Sequence, residues 1–151
     1  MPDASPSGLT QAQVQDLCRI ADVMIPASTE YAVPSAGDDT IIADILRTLG
    51  RDLADVRTAL TELASLSGGA FSAVDDTRRE AVAATFLASR TPALVTLGRV
   101  VLQCYYRDDR VMRSLGLEPR PPFPLGHTLE QGDWSLLDPV RTRTKMWRDA
   151  P

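Results

Sequence analysis

Three side chains near the C-terminus, His127, Asp133 and Ser135, are of the types that a Ser-His-Asp hydrolase uses. In such an enzyme the imidazole accepts the proton of the serine hydroxyl, and the carboxylate orients the imidazole. The sequence has no Gly-x-Ser-x-Gly turn to present the serine and no recognisable source of an oxyanion hole. We therefore interpret His127, the only histidine, as a surface or interface residue in a turn.

The two cysteines, Cys18 and Cys104, are the other candidates for reactive or metal-ligating side chains. They are far apart, whereas zinc and iron–sulfur centres need clustered ligands. The chain also lacks Cys-x-x-Cys-His for covalent haem, Gly-x-Gly-x-x-Gly for dinucleotides and the Walker-type phosphate loop. Free cysteine is usually buried, so we expect two core thiols, and we expect this chain to carry no metal or cofactor of its own.

Composition narrows the class of protein further. A length of 151 residues suggests one domain, and 44% hydrophobic residues can build a core. A net charge of −4 argues against a nucleic-acid binder, and no apolar run approaches the roughly 20 residues that span a bilayer. The opening "MPDASPSGLT" lacks the basic and apolar regions of a secretory signal. We expect a cytoplasmic protein, or a periplasmic one if a leader has been removed or if the chain is exported with a partner.

Helical periodicity runs from the N-terminal region to about residue 116. A capping box of Thr10 and Gln13 is predicted to begin the first helix, which Pro26 ends. Further helices are predicted at about 39–50, 52–66, 74–89, 92–106 and 108–116, and no strand period is found. The sequence thus predicts an all-α fold: a bundle of five or six helices over 1–116, followed by a long Pro-rich non-helical C-terminal arm over 117–151 of the same domain.

The fifth predicted helix, "PALVTLGRVVLQCYY", is apolar on almost every side, which is typical of a central, buried helix. Its one polar strip is formed by Thr96, Arg99 and Gln103. Tyr105 and Tyr106 end it. We favour core packing over a partner contact for this pair, with one ring at the surface as the remaining option.

The arm combines prolines and glycines with large apolar side chains. The stretch "RPPFPLGHTLEQGDWSLLDPV" keeps Phe123, Trp134 and Leu137, which a disordered segment normally lacks. Proline lowers the entropy lost on docking because its φ angle is already fixed. The arm could fold back over its own bundle or clasp another chain, and we favour the second. The final "RTRTKMWRDAP" is interpreted as a solvated or partner-docked tail.

Several of these stretches, taken together, resemble the gluconate 2-dehydrogenase subunit 3 family. The resemblance rests on "LTQAQVQDLCRIADVMIPAS", on "GGAFSAVDDTRREAVAATFLAS", and on "CYYRDDRVMRSLGLEP" passing into "PPFPLG" and "GDWSLLDPV". It covers most of the chain. No single motif is chemically specific, and the match depends on the order and spacing of all of them.

The resemblance implies a role for the chain. Members of the family are small, cofactor-free subunits of bacterial flavin dehydrogenase complexes, and they assist the folding, stability or export of a large FAD-containing subunit. That subunit is commonly of the glucose-methanol-choline type and oxidises sugars or polyols. The chain would then not be catalytic alone, and FAD would be bound by the partner. The candidate partner contacts are Tyr105, Tyr106, Pro122, Phe123, Trp134, Leu137 and Trp147.

The chain departs from the family in one respect, and two alternative functions stay open. Many family members begin with a twin-arginine export leader, and this chain begins almost at the first helix. A stand-alone enzyme or small-ligand binder would need an inward polar cluster, for which only Thr96, Arg99 and Gln103 are candidates. A self-associating protein whose arm exchanges between identical chains is the other alternative.

Overall fold

A computed structural model describes residues 8–121, 123–126 and 129–148 of the chain. The chain divides after Pro119 into two compact units. The described residues contain no strand, and the β-type pairing among them is one isolated bridge between Ser28 and Val33. The predicted all-α class is confirmed.

The first unit is a bundle of helices joined by short connections. Its α-helices are α1 (Gln11–Met24), α2 (Asp39–Thr48), α3 (Leu53–Ser67), α4 (Asp76–Ser89), α5 (Pro92–Tyr105) and α6 (Asp109–Ser114). Two 3₁₀ turns, Gly50–Asp52 and Phe71–Ala73, lie in the connections before α3 and α4. The predicted helices are all present, with ends displaced by at most two residues.

Side-chain caps explain where most of these helices begin. Thr10 Oγ1 accepts a hydrogen bond from the Gln13 amide at 3.2 Å, and Gln13 Oε1 accepts one from the Thr10 amide at 3.0 Å. This reciprocal pair is the predicted capping box. Thr91 caps α5 and Pro92 occupies its first position, as predicted. The remaining capping side chains belong to Asp38, Asp75 and Asp108.

Helix α5 lies in the core of the first unit. It packs against α3 and α2, and α3 also packs against α4. Leu97 of α5 is fully buried, as are Leu63 of α3 and Phe86 of α4. Burying a side chain of this kind contributes roughly 1.5–3 kcal/mol each. The predicted central position of α5 is therefore confirmed, although one stripe of the helix stays uncovered.

A short element that sequence periodicity did not reveal closes one end of the core. Phe71, in the 3₁₀ turn after α3, is fully buried. The Asp16 side chain of α1 accepts a hydrogen bond from the Ser72 amide at 2.8 Å, which fixes that turn against α1. Asp16 itself is buried, so this bond gives its carboxylate a partner.

The connection between α1 and α2 is fastened to α1 at Gly37. The Gly37 carbonyl accepts a hydrogen bond from Cys18 Sγ at 3.1 Å, and Ser35 Oγ donates to Asp22 at 2.6 Å. A Cβ atom added at Gly37 would lie 2.6 Å from the Cys18 carbonyl oxygen. The backbone therefore approaches α1 more closely than any other residue would allow.

The second unit begins at Arg120 and is mostly non-helical, as predicted for the arm. Within it the structure adds one helical segment, a 3₁₀ helix over Trp134–Leu137 that continues into a one-turn helix, α7 (Asp138–Arg141). The Asp133 carboxylate caps this segment by accepting from the Ser135 amide at 3.0 Å. The predicted division at residue 116 falls three residues before the division by contacts, and both lie in the same connection.

Candidate partner-binding surface

The two tyrosines that end α5 have different environments. Tyr105 is 5% exposed and belongs to the core, whereas Tyr106 is 54% exposed. Their rings meet edge to face, with centroids 5.3 Å apart. Burial also raises the pKa of the Tyr105 hydroxyl. A partner can therefore reach the ring of Tyr106, and the burial of Tyr105 speaks against its role as a contact.

The predicted anchors of the arm are exposed apolar side chains. Trp134 is 63% exposed, and Phe123, Leu137 and Trp147 are exposed as well. Trp134 and Leu137 share the 3₁₀ helix, so the structure places these two on one short element. Phe123 and Trp147 lie elsewhere in the unit, the latter with Lys145 Nζ 5.7 Å from its ring centre. Pro122 lies outside the described residues.

A second apolar surface, which the sequence pattern does not predict, lies in the bundle. It is an open groove of about 330 Å³ between the ends of α1 and α4 and one side of α5. Val95 and Leu102 of α5 are 62% and 46% exposed at its edges. We call this surface the α5 groove; its lining residues are Met24, Ile25, Leu87, Arg90, Leu94, Val95, Gly98, Val101 and Leu102.

The missed signal is the excess of apolar residues on α5. The helix is apolar on more sides than its neighbours cover, and this pattern by itself predicts a central, buried helix without indicating that one stripe stays exposed. Val95, Leu102 and Tyr106 follow one another at helical spacing on the uncovered stripe, with Gly98 between the first two. An apolar helix face that the rest of the fold leaves uncovered is a candidate interaction surface.

The polar strip of α5 does not form an inward-facing ligand cluster. Arg99 pairs with Asp52 at 2.8 Å and donates to Gln103 at 3.2 Å. Thr96 Oγ1 donates to Asp55 at 3.1 Å. These bonds connect α5 to the start of α3 along the surface, so the strip serves to hold two helices together.

A charged cleft of about 750 Å³ lies between α2, the end of α5 and the start of α6. Arg110 donates to Asp38 at 2.7 Å and to Asp108 at 2.9 Å. These hydrogen bonds hold the pKa of both carboxyls below the usual range. On the other side Arg107 pairs with Asp44, with its Nε atom 2.9 Å from the carboxylate.

Asp44 and its arginines show why this cleft is structural. Burial alone would raise the pKa of Asp44, but hydrogen bonds from Arg107 and Arg47 outweigh it and lower the pKa overall. Each arginine of the cleft is therefore already paired with a carboxylate. An incoming anion would have to displace these partners, so the cleft is a weak candidate for an anion site.

The cysteines have the character predicted for core thiols, with one difference. Both are free; Cys104 is buried and Cys18 is half-buried. Burial raises the pKa of each thiol. Because the thiolate is the nucleophilic form, neither side chain is activated for covalent chemistry at neutral pH.

Asp133 and Ser135, two of the three residues of the possible Ser-His-Asp site, bond to each other at the start of a helix. Ser135 Oγ donates to Asp133 at 2.6 Å, and the same carboxylate caps the 3₁₀ helix. Both groups thus have a local structural role at a helix start. His127 lies outside the described residues.

The described residues hold neither a metal-binding cluster nor a single membrane-spanning helix. No group of three or more His, Cys, Asp or Glu side chains in the described ranges could hold a metal ion. No single helix in this part of the chain is long and apolar enough to cross a bilayer. Helices α4 and α5 meet the length and composition together, but they bend by 107° at the break between them.

The chemistry available at these surfaces is the burial of apolar area, at the α5 groove, at Tyr106 and at the anchors of the arm. The chain matches no protein-family model, no curated protein and no solved structure, so the candidate surfaces rest on its own residues and geometry.

Proposed function

We propose that this chain is a non-catalytic accessory subunit that binds a larger protein through exposed apolar side chains. The larger protein is an FAD-dependent oxidoreductase of the glucose-methanol-choline type that acts on sugars or alcohols. The small subunit stabilises it and aids its folding or maturation.

The exposure of the arm anchors carries this proposal. No described side chain of the second unit is buried, yet the unit keeps Phe123, Trp134, Leu137 and Trp147. Trp134 and Leu137 are three residues apart on one 3₁₀ helix and so share one side of it, and an exposed apolar surface of this kind supports an interaction site. Tryptophan is also enriched among the residues that dominate binding energy at interfaces.

The binding energy expected from these exposed side chains favours a protein partner. Truncating a central aromatic anchor to alanine costs about 2 kcal/mol or more at an interface. Loss of the Trp134 side chain alone should therefore weaken affinity by about 30-fold or more, and Leu137 on the same short helix adds apolar area beside it. The helix cap at Asp133 holds the pair in a fixed relation before binding, which reduces the entropy that binding costs.

The polar side chains with chemical potential have other roles, which supports a non-catalytic subunit. Ser135 is bonded to a capping carboxylate, and the thiols of Cys18 and Cys104 have raised pKa values. The kind of partner is taken from the resemblance to the gluconate 2-dehydrogenase subunit 3 family. A flavin-containing large chain is the partner which that resemblance implies.

Purification of the tagged chain from its native cell tests the proposal. We expect a much larger chain to co-purify and the eluate to show flavin absorbance bands. The double variant Trp134→Ala/Leu137→Ala should retain less than a tenth of this large chain. Gln131→Ala, an exposed polar change in the same arm, is the matched control and should retain all of it.

Two results would contradict the proposal. A colourless eluate that holds this chain alone would remove the flavoprotein partner. A size corresponding to two or more copies of the chain, lost in the double variant, would instead support self-association through the arm.

A further inference from the structure

We propose that the α5 groove is a docking site for an apolar helical segment of the larger protein, and that this segment places a carboxylate against Arg90. The inference rests on the proposed function for the source of the segment. It adds a second surface, in the bundle, with a defined chemistry for what binds there.

The residues that line the groove indicate that it would bind an apolar segment. Every lining residue except Arg90 is apolar or glycine. The stretch of α5 from Leu94 to Leu102 covers about 12 Å at the helical rise, or slightly more than two turns. A groove of this length matches the helix-in-groove mode, in which side chains at i, i+3 or i+4 and i+7 act as anchors.

Gly98 has no explanation inside the chain. Glycine in the middle of a helix is less favourable than alanine, and a Cβ atom added at Gly98 would meet nothing within 4 Å. Neither a left-handed backbone nor internal packing therefore requires it. Glycine on a helix surface allows another backbone to come close, so a chain that approaches from outside accounts for this residue.

Arg90 gives the second and independent observation. It ends α4 in the left-handed conformation, with φ at 49°, a position where glycine or asparagine is usual. Among the described arginines of the bundle, it is the one whose side chain makes no hydrogen bond or ion pair. A less favourable backbone position thus holds a free guanidinium at the rim of an apolar groove.

Charge complementarity then defines the partner segment. A guanidinium at the edge of an apolar surface binds a carboxylate with two parallel hydrogen bonds, and partial exclusion of water strengthens the pair. The occupant is therefore a helical segment with two or three large apolar side chains and an aspartate or glutamate at the end that meets Arg90.

Photo-crosslinking in the native complex tests where this segment lies. A benzophenone amino acid is placed at Val95 or Leu102, at the edges of the groove, and at exposed Thr58 of α3 as the control. We expect crosslinks to the large chain from positions 95 and 102 and none from 58. Mass spectrometry of the linked peptide should find an acidic residue within two helical turns of the linked position.

Crosslinking separates failure of this inference from failure of the proposed function. If the wild-type chain retains the large protein but positions 95 and 102 do not link to it, the inference is wrong and the proposed function stands. Links only to a second copy of this chain, or to lipid, also overturn the inference. If no large protein co-purifies with the wild-type chain, both fall.

Variants at the two unusual residues complete the test. Gly98→Leu fills the groove and should lower retention of the large chain at least tenfold, while circular dichroism shows an unchanged helical bundle. Arg90→Glu should lower it to a similar extent, and Arg90→Lys much less. Lysine in place of the acidic residue of the linked segment should restore binding to the Arg90→Glu variant. Equal retention by all variants would overturn the proposal.

Discussion

At the scale of single residues, two arginines differ in whether a carboxylate of the same chain pairs with them. Arg110 is engaged by two carboxylates and serves the fold, whereas Arg90 has no such partner and is available at the surface. The sequence alone does not separate the two, because Arg90 at the end of α4 and Arg110 in the first turn of α6 both lie close to the connection between two helices. Only the distances between side chains show that Arg110 is paired, which leaves Arg90 as the arginine of the proposed docking site.

The pair of bonds made by Arg110 gives a pH-dependent prediction. Asp38 and Asp108 have lowered pKa values in the folded state, so their contribution to stability is present above the usual carboxyl range. It is lost as the pH falls below about 4, through the folded pKa values. We expect Arg110→Ala to lower the free energy of unfolding by roughly 0.5–1 kcal/mol at pH 7.

Urea unfolding at pH 7 and pH 3 measures this effect. The difference between the wild type and Arg110→Ala should shrink at the lower pH. Arg113→Ala, which removes an exposed pair with Asp109 on α6, is the control and should change stability little at either pH. An equal loss for Arg110→Ala at both pH values would contradict the electrostatic account.

At the scale of elements, the sequence predicted helices well because the signals for helix starts are local. Thr10 with Gln13, and Thr91 before Pro92, are capping patterns that need no tertiary information, and both are present as predicted. The 3₁₀ turn at Phe71 was not predicted, because three residues carry no periodicity. Its position depends on a bond from Ser72 to distant Asp16.

The candidate surfaces were predicted less completely, because which side chains stay exposed depends on tertiary packing. The apolar side chains of the arm could be singled out from the sequence because aromatic residues near proline and glycine are conspicuous, and their role as partner contacts stays a prediction. The α5 groove was missed, because which face of an apolar helix stays uncovered depends on where α1 and α4 end. Tyr105 and Tyr106 could not be separated in advance, since adjacent residues of a helix end differ only in the direction each faces.

Two glycines in different elements should respond oppositely to the same substitution. Gly37→Ala places a methyl group against the Cys18 carbonyl and the Asp22 side chain, and we expect a loss of about 1–3 kcal/mol. Gly98→Ala meets nothing and improves helix propensity, so we expect a gain of about 0.5–1 kcal/mol. Chemical denaturation of both variants measures the two changes. A loss of stability in Gly98→Ala would mean that the bundle itself needs this glycine.

At the scale of the whole molecule, the core is confined to the first unit. Every member of the buried apolar cluster lies between Leu9 and Val111. The described part of the second unit contributes none. The stability of the fold therefore depends on the first unit, and the proposed partner contacts lie in the second unit and on the exposed face of α5.

A chain that ends at Pro119 should consequently keep its fold. We expect helical circular dichroism like that of the full chain and a Tm within about 3 °C of it, because no core residue is removed. Retention of the large partner should fall sharply, because the arm anchors are lost. A truncated chain that is unfolded or aggregated would show that the arm contributes to the stability of the bundle.

The helix caps have a consequence for how the chain reaches its fold. Thr10, Asp38, Asp75, Thr91 and Asp108 each hold a helix start with a bond to a residue no more than three positions away. Nucleation is the slow step of helix formation, and each cap favours it without waiting for distant segments. Helix α3 then packs on α4 and α5, which follow it directly. Helical bundles typically fold in microseconds to milliseconds, and the contacts of α5 with α2 can form only once α5 exists, so the bundle should be complete soon after its last helix has been synthesised.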